Sequence, residues 1–83
     1  MRELTEALES IKGKNVGIYI SHKLYGNQYI EVEFEPETVE RIGFYCKDQV
    51  IYMNYDEITN YSISDKEVTI NGEVMCITIT NTQ

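Results

Sequence analysis

The sequence predicts a mainly β domain that begins with one α-helix, and three observations favour this fold class. The 83-residue chain has 11 Ile, 6 Val, 7 Thr, 7 Tyr and 2 Phe against 3 Leu and 1 Ala, and β-branched and aromatic side chains fit a pleated sheet better than a helix. The apolar residues change from a helical spacing to strict alternation early in the chain. Short alternating segments then recur between turn-forming residues, as expected for one small domain.

An amphipathic helix is predicted over residues 2–12, within the segment 1–13. Its apolar residues recur three or four positions apart and share one face: Leu4, Ala7, Leu8 and Ile11. The opposite face is polar, and Gly13 can adopt the left-handed conformation that ends many helices. The segment is therefore expected to form about three helical turns.

Alternation after Asn15 predicts about seven short antiparallel strands, counting a C-terminal hairpin. In the first strand, Val16, Ile18 and Ile20 alternate with Gly17, Tyr19 and Ser21. Further strands are expected at 29–35, 40–46, 49–53 and 58–63, with loops at 22–27, 47–48 and 54–57. Pro36 closes the second strand because it cannot donate a ladder hydrogen bond.

The C-terminal hairpin carries the most specific turn signal, Asn71-Gly72, which favours a type I′ turn. A two-residue loop there would pair Ile70 with Glu73, Thr69 with Val74 and Val68 with Met75. One face of this hairpin would carry Val68, Ile70, Met75, Ile77 and Ile79, and the other Thr69, Val74, Cys76, Thr78 and Thr80.

The order of segments up to residue 63 carries a family resemblance. A short helix, then "KGKNVGIYI", a bent second strand, and "QVIYMNYDEITNYSI" as strand, one-turn connector and strand resemble the Sm-like barrel of the LSm proteins and Hfq. The resemblance covers roughly residues 4–63. It implies a small SH3-like or Sm-like barrel over 15–63 with an extra C-terminal hairpin at 66–80, and it implies RNA binding and ring-shaped assemblies. A pleckstrin-homology-like sheet is the alternative fold.

The sequence carries no catalytic, metal or cofactor signature. It has one histidine, His22, and neither a phosphate-binding loop nor a paired metal-ligand motif. Ser21 and His22 are neighbours on a strand and point to opposite faces, which makes them a poor nucleophile and base. We therefore expect no enzyme activity, no cofactor and no metal. Cys46 and Cys76 are expected to be free thiols, with Cys76 accessible on the threonine-rich face.

A cytoplasmic location is expected from two features. The longest apolar run, at 50–53, is far shorter than the roughly 20 residues that a membrane-spanning helix needs. The charged first residues do not resemble a signal peptide.

Six side chains are candidates for a protein-binding surface: Tyr19, Tyr29, Tyr45, Glu31, Glu33 and Glu35. The tyrosines alternate with the apolar series, so they either gather on an exposed face as interface anchors or cover a second small core under the helix. The acids belong to a chain half, residues 31–83, with 11 acidic and three basic residues. They form either a solvated strand face or a negative stripe for a basic partner.

These features predict a non-catalytic protein-interaction module that also self-associates through unpaired strand edges. One alternative is an Sm-like RNA-binding protein. Another is a phage-type acidic inhibitor that mimics nucleic acid and binds a DNA-binding enzyme. Nucleic acid is not the favoured partner, because Glu31 and Glu33 beside the tyrosines would repel phosphate.

Overall fold

The computed structural model describes residues 2–34, 41–46 and 49–81, and the side chains of residues 2–34 and 52–81. The chain order is α1 (Arg2–Ser10), β1 (Asn15–His22), β2 (Gly26–Glu33), β3 (Arg41–Cys46), β4 (Gln49–Asn54), a single 3₁₀ turn (Tyr55–Glu57), β5 (Ile58–Ile63), β6 (Glu67–Gly72) and β7 (Met75–Asn81). The prediction of a mainly β chain with an N-terminal helix is confirmed.

The strands form two antiparallel sheets. Five of them make one sheet in the order β2-β1-β7-β6-β5, and β3 pairs with β4 in a hairpin of its own. Within the described residues, no ladder joins the edge strands β2 and β5. The C-terminal hairpin, predicted as an addition to a barrel, lies inside this sheet because β7 pairs with both β1 and β6.

One face of the five-stranded sheet, here called the inner face, carries the core. Its buried residues on β1, β6 and β7 are Val16, Ile18, Ile20, Val68, Ile70, Met75, Ile77 and Ile79. Helix α1 covers one end of this face with buried Leu4 and Leu8, while Ala7 and Ile11 pack at its margin. The predicted apolar face of the helix is therefore confirmed, and Phe34 and Met53 complete the core.

Helix α1 is shorter than predicted, since it ends at Ser10 rather than Lys12. The chain then reverses through Gly13, whose φ of 81° confirms the left-handed conformation. The Gly13 N–H donates to the Phe34 carbonyl at 2.8 Å, and the Phe34 N–H donates to the Lys14 carbonyl at 2.9 Å. These two bonds fix the helix against the end of β2.

The first hairpin has longer strands and a tighter turn than predicted. Strand β2 begins at Gly26, three residues before the predicted start, and pairs in register with β1 from Asn15↔Glu33 to His22↔Gly26. The loop shrinks from 22–27 to 23–25. Gly26 permits this with a positive φ of 78°.

The predicted turn of the C-terminal hairpin is wrong by two residues, which moves the partner of each β6 residue by four positions. The turn lies at residues 73–74, so Ile70 pairs with Ile77 and Val68 with Ile79. In the predicted register Ile70 would face Glu73 across the inner face, placing a carboxylate against the core. The shift is an even number of residues, which keeps the same side chains inside, and the predicted inner face of this hairpin is confirmed.

Candidate functional site

The side of the five-stranded sheet that faces away from the core, here called the outer face, carries the predicted tyrosine pair. The strand registers place one row of side chains across all five strands: Tyr29, Tyr19, Thr78, Thr69 and Ser62. Tyr19 is 43% exposed and Tyr29 is 56% exposed. Because α1 packs on the inner face, these two tyrosines do not form a second core beneath the helix.

Tyr29 is held in place by its neighbours on the outer face. Its ring lies over Gly17, where a Cβ atom would meet the Tyr29 hydroxyl and come within 3.0 Å of Cζ. Its hydroxyl donates a hydrogen bond of 3.3 Å to Glu31 Oε1. Loss of solvent around the hydroxyl, the charge of Glu31 and this hydrogen bond together raise the pKa of Tyr29 above its ordinary value. The contact with Gly17 could not be read from the sequence, because it depends on the β1–β2 register.

The charge of the outer face is entirely negative among the described residues. Glu31, Glu33 and Glu67 are exposed at outward positions, and no Lys or Arg occupies an outward position on these five strands. Glu31 and Glu67 lie in the same cross-strand row, separated by Gly17 and Thr80. The tyrosine pair is therefore flanked by carboxylates, and no Lys or Arg of these five strands neutralises them on that face.

A polar cluster that sequence reasoning missed lies on the same face, beyond the tyrosine row. The Cys76 thiol donates to Asn71 Oδ1 at 2.9 Å, and Asn71 Nδ2 donates to Asn60 Oδ1 at 2.6 Å. The sequence predicts Asn71 as a turn residue, and only the observed register places it opposite Cys76. Cys76 is a free thiol on the threonine-bearing face, as predicted, and it is half-buried. The side chain of Cys46 lies outside the described residues.

The structure brings together four of the six predicted site residues: Tyr19, Tyr29, Glu31 and Glu33. Tyr45 lies opposite Val50 in the separate β3–β4 hairpin, so its backbone does not join the tyrosine row. The side chain of Tyr45 and all of Glu35 lie outside the described residues.

His22 has a structural contact at the end of β1. Its Nδ1 atom accepts hydrogen bonds from the backbone N–H groups of Leu24 at 3.0 Å and Tyr25 at 3.3 Å. The ring also lies 4.6 Å from the Tyr25 ring, centroid to centroid. Ser21 and His22 occupy opposite faces of the sheet, since the His22 partner on β7 is the buried Met75. The imidazole thus fixes the turn between β1 and β2.

In the described part of the chain, no three His, Cys, Asp or Glu side chains are grouped to hold a metal ion. No helix among these residues has the length and apolar character to cross a bilayer. No family model, curated protein or solved structure matches the chain.

Proposed function

We propose that this chain is a non-catalytic protein-interaction module that binds a basic partner through the outer face of its sheet. One observation carries the proposal: two exposed tyrosines stand side by side on a sheet face whose described charged residues are all carboxylates. Tyrosine supplies a large amphipathic contact at low entropic cost and is enriched among interface anchors. Surrounding carboxylates would attract a positively charged partner and orient its approach.

The same charges disfavour the RNA-binding alternative. Tyrosines on a sheet can stack on nucleobases, but such sites combine the aromatic rings with a positive groove for the phosphates. Here Glu31, Glu33 and Glu67 occupy the positions where basic residues would be needed. An acidic inhibitor of a DNA-binding enzyme is a special case of the proposal, in which the basic partner surface is one built for nucleic acid.

Self-association is a second candidate function, and strand β5 favours it. Its sequence ITNYSI has no charged residue, and β6 is its only ladder partner among the described residues. An uncharged edge strand offers free backbone groups to another strand. Two copies of a chain with net charge -7 would repel each other less at β5 than at β2, the other edge strand, which carries Glu31 and Glu33. Closure into an Sm-like barrel, or assembly into a ring of copies, is part of this proposal.

The first experiment tests binding through the outer face. Proteins captured from the source cell by the wild-type chain are compared with those captured by Tyr29→Ala and by the double variant Glu31→Gln, Glu33→Gln. The double variant Glu3→Gln, Glu9→Gln is the matched control, since it makes the same change in charge on the exposed side of α1. We expect a shared partner to be lost with the outer-face variants and retained by the control.

Two results would contradict the proposal. The first is equal capture by all variants. The second is salt-sensitive binding of short RNA to the wild-type chain in fluorescence anisotropy, which would support the Sm-like alternative. Light scattering over a range of concentrations tests self-association separately: a mass of 9.7 kDa at every concentration would exclude it.

A further inference from the structure

A second surface lies at the end of the inner face that helix α1 does not cover. A cleft of about 460 Å³ opens between the 3₁₀ turn after β4 and the turn between β6 and β7. Its lining includes the buried methionines Met53 and Met75, together with Gly72. The volume falls in the range of ligand-binding clefts, and methionine side chains adapt to differently shaped apolar groups.

Two turns at the mouth of this cleft are bound to each other and carry exposed apolar side chains. The Lys23 N–H donates to the Val74 carbonyl at 2.9 Å, which joins the β1–β2 turn to the β6–β7 turn. His22, which lines the cleft, holds the backbone of Leu24 and Tyr25. Leu24 is 79% exposed, Tyr25 76% and Val74 52%. Exposed large apolar side chains on two joined turns provide apolar surface for a bound molecule to cover.

The described charged residues that line the cleft are acidic. They are Asp56, Glu57 and Glu73, and none of the described lining residues is Lys or Arg. The Glu57 carboxylate accepts a 2.8 Å hydrogen bond from the Asn54 N–H, so part of its capacity to accept hydrogen bonds is used within the fold. The cleft thus combines an apolar methionine floor with carboxylates.

We propose that this cleft binds a segment of a partner protein that presents an arginine or lysine between apolar residues. The methylene groups of such a side chain would pack against Met53 and Met75, while its charged end would form hydrogen bonds with the carboxylates of Asp56 and Glu73. A free small cation would leave Leu24, Tyr25 and Val74 uncovered, whereas the flanking apolar residues of a segment would bury them. Met75 and Gly72, which line the cleft, lie at inner-face positions. Binding in the cleft is therefore independent of binding at the outer face.

The test uses the full chain, ¹⁵N-labelled, and a capped pentapeptide Gly-Leu-Arg-Leu-Gly in a backbone amide titration by NMR. We expect saturable shifts at His22, Gly72, Glu73 and Val74. The same peptide with Gln in place of Arg, and the double variant Asp56→Asn, Glu73→Gln with the Arg peptide, should each bind about fivefold or more weakly. Leu24→Ser should also weaken binding. The control variant Glu3→Gln, Glu9→Gln, which makes the same change in charge on the exposed side of α1, should bind as the wild-type chain does.

Three outcomes would overturn the proposal. One is the absence of a saturable shift up to about 2 mM peptide, which would place the dissociation constant above the low millimolar range. Another is equal affinity for the Arg and Gln peptides. The third is free arginine binding as tightly as the peptide, because the cleft would then recognise a small cation and not a protein segment. All the substituted side chains are exposed, so the variants should retain the fold, and an amide spectrum of each variant verifies this.

Discussion

Replacing Gly17 by Ala changes the proposed binding face while leaving the core untouched. The added Cβ would lie 3.0 Å from Tyr29 Cζ and 3.1 Å from Cε1, and closer still to the hydroxyl. These are tighter than ordinary carbon contacts, so the ring must swing away from the sheet. Tyr29 is exposed and lies on an edge strand, so the displaced ring can rotate into solvent.

The expected effect on stability is small. Ala is favoured over Gly within a strand by about 0.5–1 kcal/mol, because it loses less backbone freedom on folding. Displacement of the ring opposes this gain by removing its contact with Gly17 and its hydrogen bond to Glu31. We therefore expect the free energy of unfolding to change by less than about 1 kcal/mol in either direction. Partner binding through the outer face should weaken, since Tyr29 no longer lies in its position.

Urea unfolding provides the assay, and Gly72→Ala provides the matched comparison. A Cβ at Gly72 would lie 3.2 Å from the Glu57 carbonyl oxygen and 3.3 Å from the Met75 carbonyl oxygen. Backbone atoms cannot rotate away as an exposed ring can, so this variant should lose about 1–3 kcal/mol through overpacking. If Gly17→Ala loses as much as Gly72→Ala, the Tyr29 ring is fixed in the fold, and its proposed role as an accessible anchor is wrong.

Three further predictions concern stability and ionisation. Gly13→Ala should lower the free energy of unfolding by about 1–2 kcal/mol in a urea titration, because its φ of 81° is strained for Ala; an unchanged midpoint would contradict this. Ile18→Ala should lower the free energy of unfolding by about 2–5 kcal/mol because Ile18 is fully buried. Tyr19→Ala should lower it much less because the neighbouring Tyr19 is exposed; equal losses would place Tyr19 in the core. Tyr29 should ionise at higher pH than an ordinary tyrosine, measured as the absorbance difference between the wild-type chain and Tyr29→Phe, and Glu31→Gln should lower that pKa. Since folding raises this pKa, the contribution of protonated Tyr29 to stability is fully present below about pH 10. It is lost as pH rises through the raised pKa. A Tyr29 that titrates with the other tyrosines would refute this.

The sequence determined the elements whose signals are local. The spacing of Leu4 and Leu8 identified the buried face of the helix, and alternation along β1 identified Ile18 as core and Tyr19 as outward. Gly13 was predicted correctly because a left-handed residue after a helix is a property of a few neighbouring residues. The outward positions of Tyr29 and Glu31 followed from the same alternation.

Only the tertiary structure decided how these elements pair. Asn71-Gly72 is a strong turn signal, yet the turn lies two residues later because that register places Ile70 against Ile77 and keeps Glu73 in solvent. The position of β7 between β1 and β6, the contact of Tyr29 with Gly17, and the cleft all join residues far apart in the chain. Turn preferences contribute less to the free energy of folding than the burial of several apolar side chains does. Long-range packing therefore overrides a local signal wherever the two disagree.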